Sequence, residues 1–94
     1  MGYSSISTWN VTEWTDEMEA IARDKFVPMI MSSGASKVQM VRTGDLSFAV
    51  VTEYADAQAA EKAQARIADI RSQASTELPM TLAGVSAGAV FAKG

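Results

Sequence analysis

The chain has 94 residues, a net charge of −3 and 48% hydrophobic residues, and it contains neither histidine nor cysteine. A domain of this size buries only about 60–65% of the surface of its unfolded chain, so we expect a second copy of the chain to complete the core. The missing residue types exclude disulfides, thiolate chemistry, a Ser-His-Asp triad, and zinc or haem sites of the usual histidine-ligated kind. We expect a single domain over residues 1–94, without a cofactor or a metal.

The N-terminus and the charge pattern predict a cytoplasmic protein without membrane or nucleic-acid partners. Residues 1–8 lack the basic and apolar segments of a signal peptide, and no apolar stretch approaches the roughly 18 residues of a membrane span. The eight basic residues are scattered along the chain, so they form no stripe that could follow a phosphate backbone.

The first predicted strand, Tyr3 to Thr12, is followed by a predicted helix. Both faces of the strand mix polar and apolar residues, so the face that it turns toward the core stays open. Thr15 is a good N-cap for the helix, and acidic residues follow it where the helix dipole favours negative charge. Pro28 predicts a kink or break, because it lacks a backbone donor, and Gly34 predicts the end of the helix.

Two further strands form a predicted hairpin. Residues 36–42 alternate in polarity, and Thr43-Gly44-Asp45 predicts a short turn in which Gly44 can take positive φ. Leu46 to Tyr54 is the most strongly β segment of the chain. One of its faces is strongly apolar and the other is apolar at its centre, which predicts a central strand covered on both sides. This pattern is a second indication of a partner subunit.

The last third of the chain predicts a helix and a final strand. Asp56 caps an alanine-rich helix that runs to about Ser72, and residues 75–83 predict a loop with one short helical turn. Residues 85–92 predict the last strand, in which Gly88 suggests a bulge or a close contact. The predicted solvent side of the helix comprises Glu61, Lys62, Arg66, Asp69 and Arg71.

The resulting order, β-α-β-β-α-β, predicts an α+β, ferredoxin-like fold with a four-stranded antiparallel sheet and two helices on one face. RNA-recognition domains share this topology, and residues 47–54 faintly resemble their third-strand motif. Because the leading basic residue is missing and only Phe48 and Tyr54 are aromatic, we interpret the segment as a buried strand. The acidic residues after Thr15 could bind a hard cation, but the helix dipole explains them more simply.

Polar or aromatic residues at the predicted strand ends remain as candidates for ligand binding. An amide or a phenol in an apolar pocket can orient a ligand. The alternative is that the aromatic residues belong to the core or an interface, and that the amide satisfies backbone groups at a strand end. These candidates are Trp9, Asn10, Trp14, Arg42, Thr52 and Tyr54.

The whole chain resembles the dimeric α/β-barrel superfamily, and most nearly its antibiotic-biosynthesis-monooxygenase-like branch. The resemblance rests on the strand end Trp9-Asn10-Val11, on residues 26–35 that close the first helix, on the hairpin around Gly44, and on the step from Thr52 to Asp56 into an alanine-rich helix. It implies a homodimer, a dimeric α/β barrel, in which two sheets pack face to face. It also implies a pocket in each subunit, between the sheet and the helices.

Members of this superfamily include cofactor-independent oxygenases, haem-degrading enzymes and small isomerases. In the haem-degrading members an asparagine, a tryptophan and a histidine line the pocket. Tyr54 lies near the position of that tryptophan and Asn10 approximately matches the asparagine, whereas the histidine has no counterpart. The resemblance therefore implies a pocket bounded by Asn10, Thr52 and Tyr54, with Trp9 on either this pocket or the dimer face.

Two functions remain open at this stage. The first is that the protein binds or oxidises a small apolar or aromatic molecule in this pocket, since a substrate that reacts with oxygen once deprotonated needs a dry pocket more than a strong base. The alternative is a non-catalytic dimeric module that binds a ligand or a protein partner, which the missing general base favours. A regulatory domain of another ferredoxin-like family is a third interpretation. Whether the protein is an enzyme is not predicted.

Overall fold

The computed structural model describes residues 2–94. Met1 is the first residue of the predicted domain and of the N-terminal segment that lacks a signal-peptide pattern, and it lies outside the described residues. In chain order the elements are β1 (Tyr3–Val11), α1 (Asp16–Ile21), a π-helical segment (Ala22–Phe26), α2 (Val27–Ser32), β2 (Lys37–Gly44), β3 (Ser47–Tyr54), α3 (Ala57–Glu77) and β4 (Met80–Ala89). Within residues 2–94, no helix combines the length and the hydrophobicity needed to cross a membrane.

The four strands form one antiparallel sheet in the order β2-β3-β1-β4. Successive side chains of a strand point to opposite faces, so each strand gives one set of side chains to the helices and one set to the outer face. The core lies between the sheet and the helices, which all pack on the same face. This arrangement confirms the predicted ferredoxin-like α+β fold.

The orientation of β1, which its sequence leaves open, is settled by the burial of alternate residues. Ser7, Trp9 and Val11 are buried on the helix side, whereas Ile6 and Asn10 are exposed on the outer face. The inward set includes a serine because its hydroxyl is hydrogen-bonded within the core. Trp9 therefore faces the helices and not the outer face of the sheet.

The first helical region begins and ends at the predicted residues. The Thr15 hydroxyl accepts a hydrogen bond from the backbone N–H of Met18 at 3.1 Å, as an N-cap should. Gly34 ends α2 with a φ of 110°, a conformation that L side chains rarely adopt. Both predictions are confirmed, since each depends on the chemistry of one residue.

The irregularity expected at Pro28 takes the form of a π-helical turn. The backbone N–H of Val27 donates to the carbonyl of Ala22, a spacing of five residues. Proline has no N–H and crowds the preceding turn, and the wider turn accommodates it without breaking the helix. The π-helical segment thus turns Phe26 into the core, where it is only 2% exposed.

The hairpin between β2 and β3 differs from the prediction. Gly44 remains in β2, so the turn predicted over residues 43–45 is wrong in its position. Within residues 2–94 the one glycine with positive φ is Gly34, so Gly44 does not use the conformation that it could have taken. The turn consists of Asp45 and Leu46, and the β2–β3 register shifts between Arg42 and Gly44. The Arg42 side chain donates hydrogen bonds to the carbonyls of Gly44 and Asp45, so it provides partners for two backbone acceptors at the turn.

The second helix is longer than predicted. It continues beyond Ser72 to Glu77, so the predicted loop over residues 75–83 is wrong. Ala74 is buried against the core, and the backbone N–H of Leu78 still donates to the Ala74 carbonyl. Packing of these residues keeps the chain helical up to Glu77, and Pro79, two residues later, cannot continue the helix.

The last strand begins earlier than predicted and ends at Ala89 rather than at Ala92. Its irregularity lies at Ala83, because Thr8 pairs with Gly84 while the next residue of β1 pairs with Leu82. A side chain at Gly88 would have no neighbour within 4 Å. The bulge or close contact expected at Gly88 is therefore wrong.

The outer face of the sheet carries an apolar patch at its centre. Ile6 pairs with Val51, and Ala49 pairs with Val41, so these four side chains adjoin one another. Ile6 is 43% exposed and Val41 is 46% exposed, whereas Val51 is half-buried and Ala49 is only 9% exposed. No element of residues 2–94 covers this patch, because the helices lie on the opposite face.

Candidate ligand-binding site

A cavity of about 50 Å³ lies between the sheet and the helices, and we call it the inner cavity. Its floor is formed by side chains of the central strands, and its roof by side chains of the π-helical segment, α2 and α3. The lining residues that matter for the chemistry are Ser7, Trp9, Thr52, Phe26, Ile67 and Arg71.

The floor is hydrophobic apart from two hydroxyl groups. The indole Nε1 of Trp9 donates to the Ser7 Oγ at 2.9 Å, and both side chains are buried. A hydroxyl that accepts this bond still has its own O–H to donate. Thr52 is 6% exposed and adds the second hydroxyl, one strand away on β3. An apolar cavity with a few placed polar groups is the usual form of a small-molecule site.

The aromatic end of the floor is rigidly packed. The rings of Trp9 and Phe48 lie nearly parallel, with centroids 6.3 Å apart and an interplanar angle of 9°. The rings of Phe48 and Trp14 form a T-shaped pair, with centroids 6.0 Å apart and an interplanar angle of 79°. Since Phe48 and Tyr54 are buried on the helix side, neither ring is free to stack on a nucleic-acid base.

Two wider clefts flank the inner cavity. The first, of about 340 Å³, we call the tryptophan cleft; it adjoins the inner cavity through the shared lining residues Ala22, Met40 and Leu78. The second, of about 470 Å³, we call the tyrosine cleft; it adjoins the inner cavity through Ile67 and Arg71. The tryptophan cleft is lined by Trp14, Glu19, Arg23, Arg42 and Phe48, and the tyrosine cleft by Tyr3, Ser5, Tyr54, Glu61, Gln64 and Arg71.

Arg42 and Trp14 stack on each other and form one wall of the tryptophan cleft. The Arg42 guanidinium lies 4.2 Å from the centroid of the Trp14 ring, and the Trp14 Nε1 donates to Glu19 Oε2 at 2.6 Å. A guanidinium over an indole face is attracted to the ring quadrupole. The three side chains come from β2, the loop before α1, and α1, so they link the hairpin to the first helix.

Lys25 of the π-helical segment and Glu77 at the end of α3 form an ion pair above the roof of the inner cavity. The hydrogen bond from Lys25, with a further one from Gln73, lowers the pKa of Glu77 below its ordinary value of 4.5. The pair joins the two helical regions at the surface above the cavity. Among residues 2–94, no three acidic side chains are grouped so that they could hold a metal ion.

The structure brings together some of the sequence-predicted site residues and separates one of them. Trp9 and Thr52 line the inner cavity, and Tyr54 lines the adjoining tyrosine cleft. Tyr54 lies directly opposite Tyr3, which is on the neighbouring strand. Asn10 is exposed on the outer face of the sheet and lines none of these three spaces. It follows Trp9 directly in a strand, so the two side chains point in opposite directions.

Sequence reasoning missed two residues of the site. Ser7 lies two positions before Trp9 on the same face of β1, and this spacing is the signal that could have placed it. Arg71 was expected on the solvent side of its helix, yet it is half-buried and lines both the inner cavity and the tyrosine cleft. It lies four residues after Ile67, which places it on the same helix face as a cavity residue.

The chain has a ferredoxin-like fold, which solved structures of low sequence identity share. It is similar to SnoaB, a cofactor-independent oxygenase from Streptomyces nogalater (14% identity, 98% of this chain and 95% of that chain covered, TM-score 0.74). It is also similar to HapK from Hahella chejuensis (12% identity, 98% and 95% covered, TM-score 0.75). A dimeric ferredoxin-like protein from an uncultured marine organism is a third similar structure (11% identity, 99% and 97% covered, TM-score 0.68). No family model and no curated protein matches the sequence.

Proposed function

We propose that the protein is a single-domain homodimer that binds a small apolar or aromatic molecule between its sheet and its helices. The observation that carries this proposal is the inner cavity, which has an apolar lining, the hydroxyls of Ser7 and Thr52, and a wider cleft on each side. Ligand sites are typically concave, mostly apolar and supplied with a few polar groups.

The volumes indicate how the ligand would lie. An engineered protein cavity of about 150 Å³ holds benzene, whereas the inner cavity has only about 50 Å³. An aromatic ring therefore occupies one of the flanking clefts and reaches the inner cavity with one end. Each cleft, at about 340 and 470 Å³, has the volume of a small-molecule site.

The homodimer is supported by the outer face of the sheet. The apolar patch of Ile6, Val41, Ala49 and Val51 has no cover within residues 2–94, and Phe91, beyond β4, is 90% exposed. A contiguous apolar patch on a small protein is typical of an interaction surface. One of the similar structures is a dimeric ferredoxin-like protein, which favours a second copy of this chain as the partner.

Binding can be tested with the fluorescence of Trp9. The chain has two tryptophans, so Trp14→Phe leaves Trp9 as the sole indole, beside the inner cavity. Titration of this variant with 2-naphthamide, a neutral aromatic probe, is expected to quench Trp9 emission to a saturating limit. The matched variant Trp9→Phe, which retains Trp14, reports on the tryptophan cleft. An absence of saturable quenching in both variants would contradict the proposal.

Oxidation of the bound molecule by O₂ is a second candidate, favoured by the likeness to SnoaB, a cofactor-independent oxygenase. For an anthrone, the CH₂ group becomes a carbonyl while one O₂ is consumed and one water is released. Thr52→Val is expected to slow oxygen consumption, whereas Thr76→Val, on the exposed end of α3, leaves the rate unchanged. If the wild-type protein consumes no oxygen above the uncatalysed rate while 2-naphthamide binds, the binding function alone remains.

A further inference from the structure

Arg71 occupies an unusual position for a cation. It is half-buried on α3, and it lines both the inner cavity and the tyrosine cleft. Its helix neighbours Ile67 and Ile70 line the inner cavity, so this turn of α3 faces the sheet. A fully buried arginine is almost always paired with an anion, and an anion stabilises a guanidinium that is partly withdrawn from water in the same way.

The described chain gives Arg71 no such anion. The carboxylate that lines the same cleft is Glu61, which precedes Arg71 by ten residues and is therefore about 15 Å away along the helix axis. The ion pairs formed among residues 2–94 are Arg23–Asp24, Lys25–Glu77 and Lys93–Glu53.

Hydroxyl groups from the sheet line the tyrosine cleft together with Arg71. Tyr3 pairs with Tyr54 across β1 and β3, and Ser5 pairs with Thr52 in the same way, so the four side chains share the helix-facing side of the sheet. Tyr3, Ser5 and Tyr54 line the tyrosine cleft, whereas Thr52 lines the adjoining inner cavity. Phenols and hydroxyls donate hydrogen bonds to an oxyanion, and a planar guanidinium pairs with a carboxylate in a bidentate manner. This end of the site is thus suited to a negatively charged oxygen, while the inner cavity beside it is apolar.

We propose that the ligand is an amphipathic anion whose apolar body lies against the inner cavity and whose ionised oxygen pairs with Arg71 in the tyrosine cleft. This inference rests on the proposed binding function and adds the chemical class of the ligand. The ionised oxygen belongs to a carboxylate or a phenolate, which share the charge and the acceptor geometry that the cleft recognises.

The test compares two probes that differ in charge at one group. Calorimetric titration of the full-length protein with 2-naphthoate is expected to give at least about tenfold tighter binding than with its neutral isostere 2-naphthamide. Arg71→Met keeps the apolar stem and removes the charge, so it is expected to bind both probes equally. Arg71→Lys is expected to keep part of the preference. Titration with 2-naphthol is expected to give tighter binding above its own pKa than below it in the wild-type protein but not in Arg71→Met, and equal binding by the wild-type protein at both pH values would exclude a phenolate.

Arg66→Met is the matched control, since Arg66 is an exposed arginine on the same helix that lines none of the three spaces. It is expected to retain the wild-type preference for 2-naphthoate. Equal binding of the two probes by the wild-type protein, or a preference that survives Arg71→Met, would overturn the inference while leaving the proposed function intact. If neither probe binds, the proposed function and the inference fail together.

Discussion

The hydrogen bond between Trp9 and Ser7 predicts a measurable coupling inside the candidate site. Ser7→Ala leaves the indole N–H of Trp9 without its partner at a position where Trp9 is only 3% exposed. Stranding a buried donor costs about 1–3 kcal/mol, so we expect the free energy of unfolding to fall by that amount. Trp9→Phe removes the donor itself, and in that background Ser7→Ala is expected to cost about 1 kcal/mol less than it does in the wild-type protein.

The assay is equilibrium unfolding in urea for the wild-type protein, the two single variants and the double variant. All four are compared at one protomer concentration, because the stability of a dimer depends on it. Ser86→Ala, on the exposed part of β4, is the control and is expected to change the free energy of unfolding by less than about 0.5 kcal/mol. If Ser7→Ala costs the same in both backgrounds, the indole and the hydroxyl are not partners and the described floor of the cavity is incorrect.

Two further predictions concern the backbone and the ion pair above the cavity. Gly34→Ala is expected to lower the free energy of unfolding by about 1–2 kcal/mol, because φ is 110° there, whereas Gly88→Ala is expected to leave it unchanged or raise it by up to about 1 kcal/mol. A Cβ meets no atom within 4 Å at either position, so equal effects in urea unfolding would refute the strain argument. The lowered pKa of Glu77 means that its pairing with Lys25 stabilises the fold fully above about pH 4.5 and is lost as the pH falls through the lower folded-state pKa. The stability difference between the wild-type protein and Glu77→Gln should therefore shrink on acidification from about pH 6 to about pH 3, and a constant difference would contradict the assignment.

The element order could be predicted because each element carries its own local pattern. Thr15 and Gly34 mark helix ends through single-residue chemistry, and the alternation of residues 47–54 identifies the inward face of β3. The end of α3 could not be predicted in this way. Its last turn is rich in serine and threonine, and burial of Ala74 and Leu78 against the sheet keeps it helical.

The candidate site was predicted less completely, because a site depends on which residues of separate elements meet. Thr52 and Trp9 could be named from the sequence, but the mixed faces of β1 do not reveal that Trp9 points inward and Asn10 outward. Ser7 is buried only because the indole provides a partner for its hydroxyl. Arg71 carries a charge that suggests solvent, and only its packing beside Ile67 places it at the cavity.

The central claim is that a homodimer binds one small aromatic molecule in each subunit, between the sheet and the helices. Native mass spectrometry of the wild-type protein in the presence of 2-naphthoate tests both parts of this claim in one measurement. The account predicts a species of two chains carrying up to two bound molecules, one for each site. A single chain would contradict the dimer, and a dimer that carries no bound molecule at saturating probe would contradict the site.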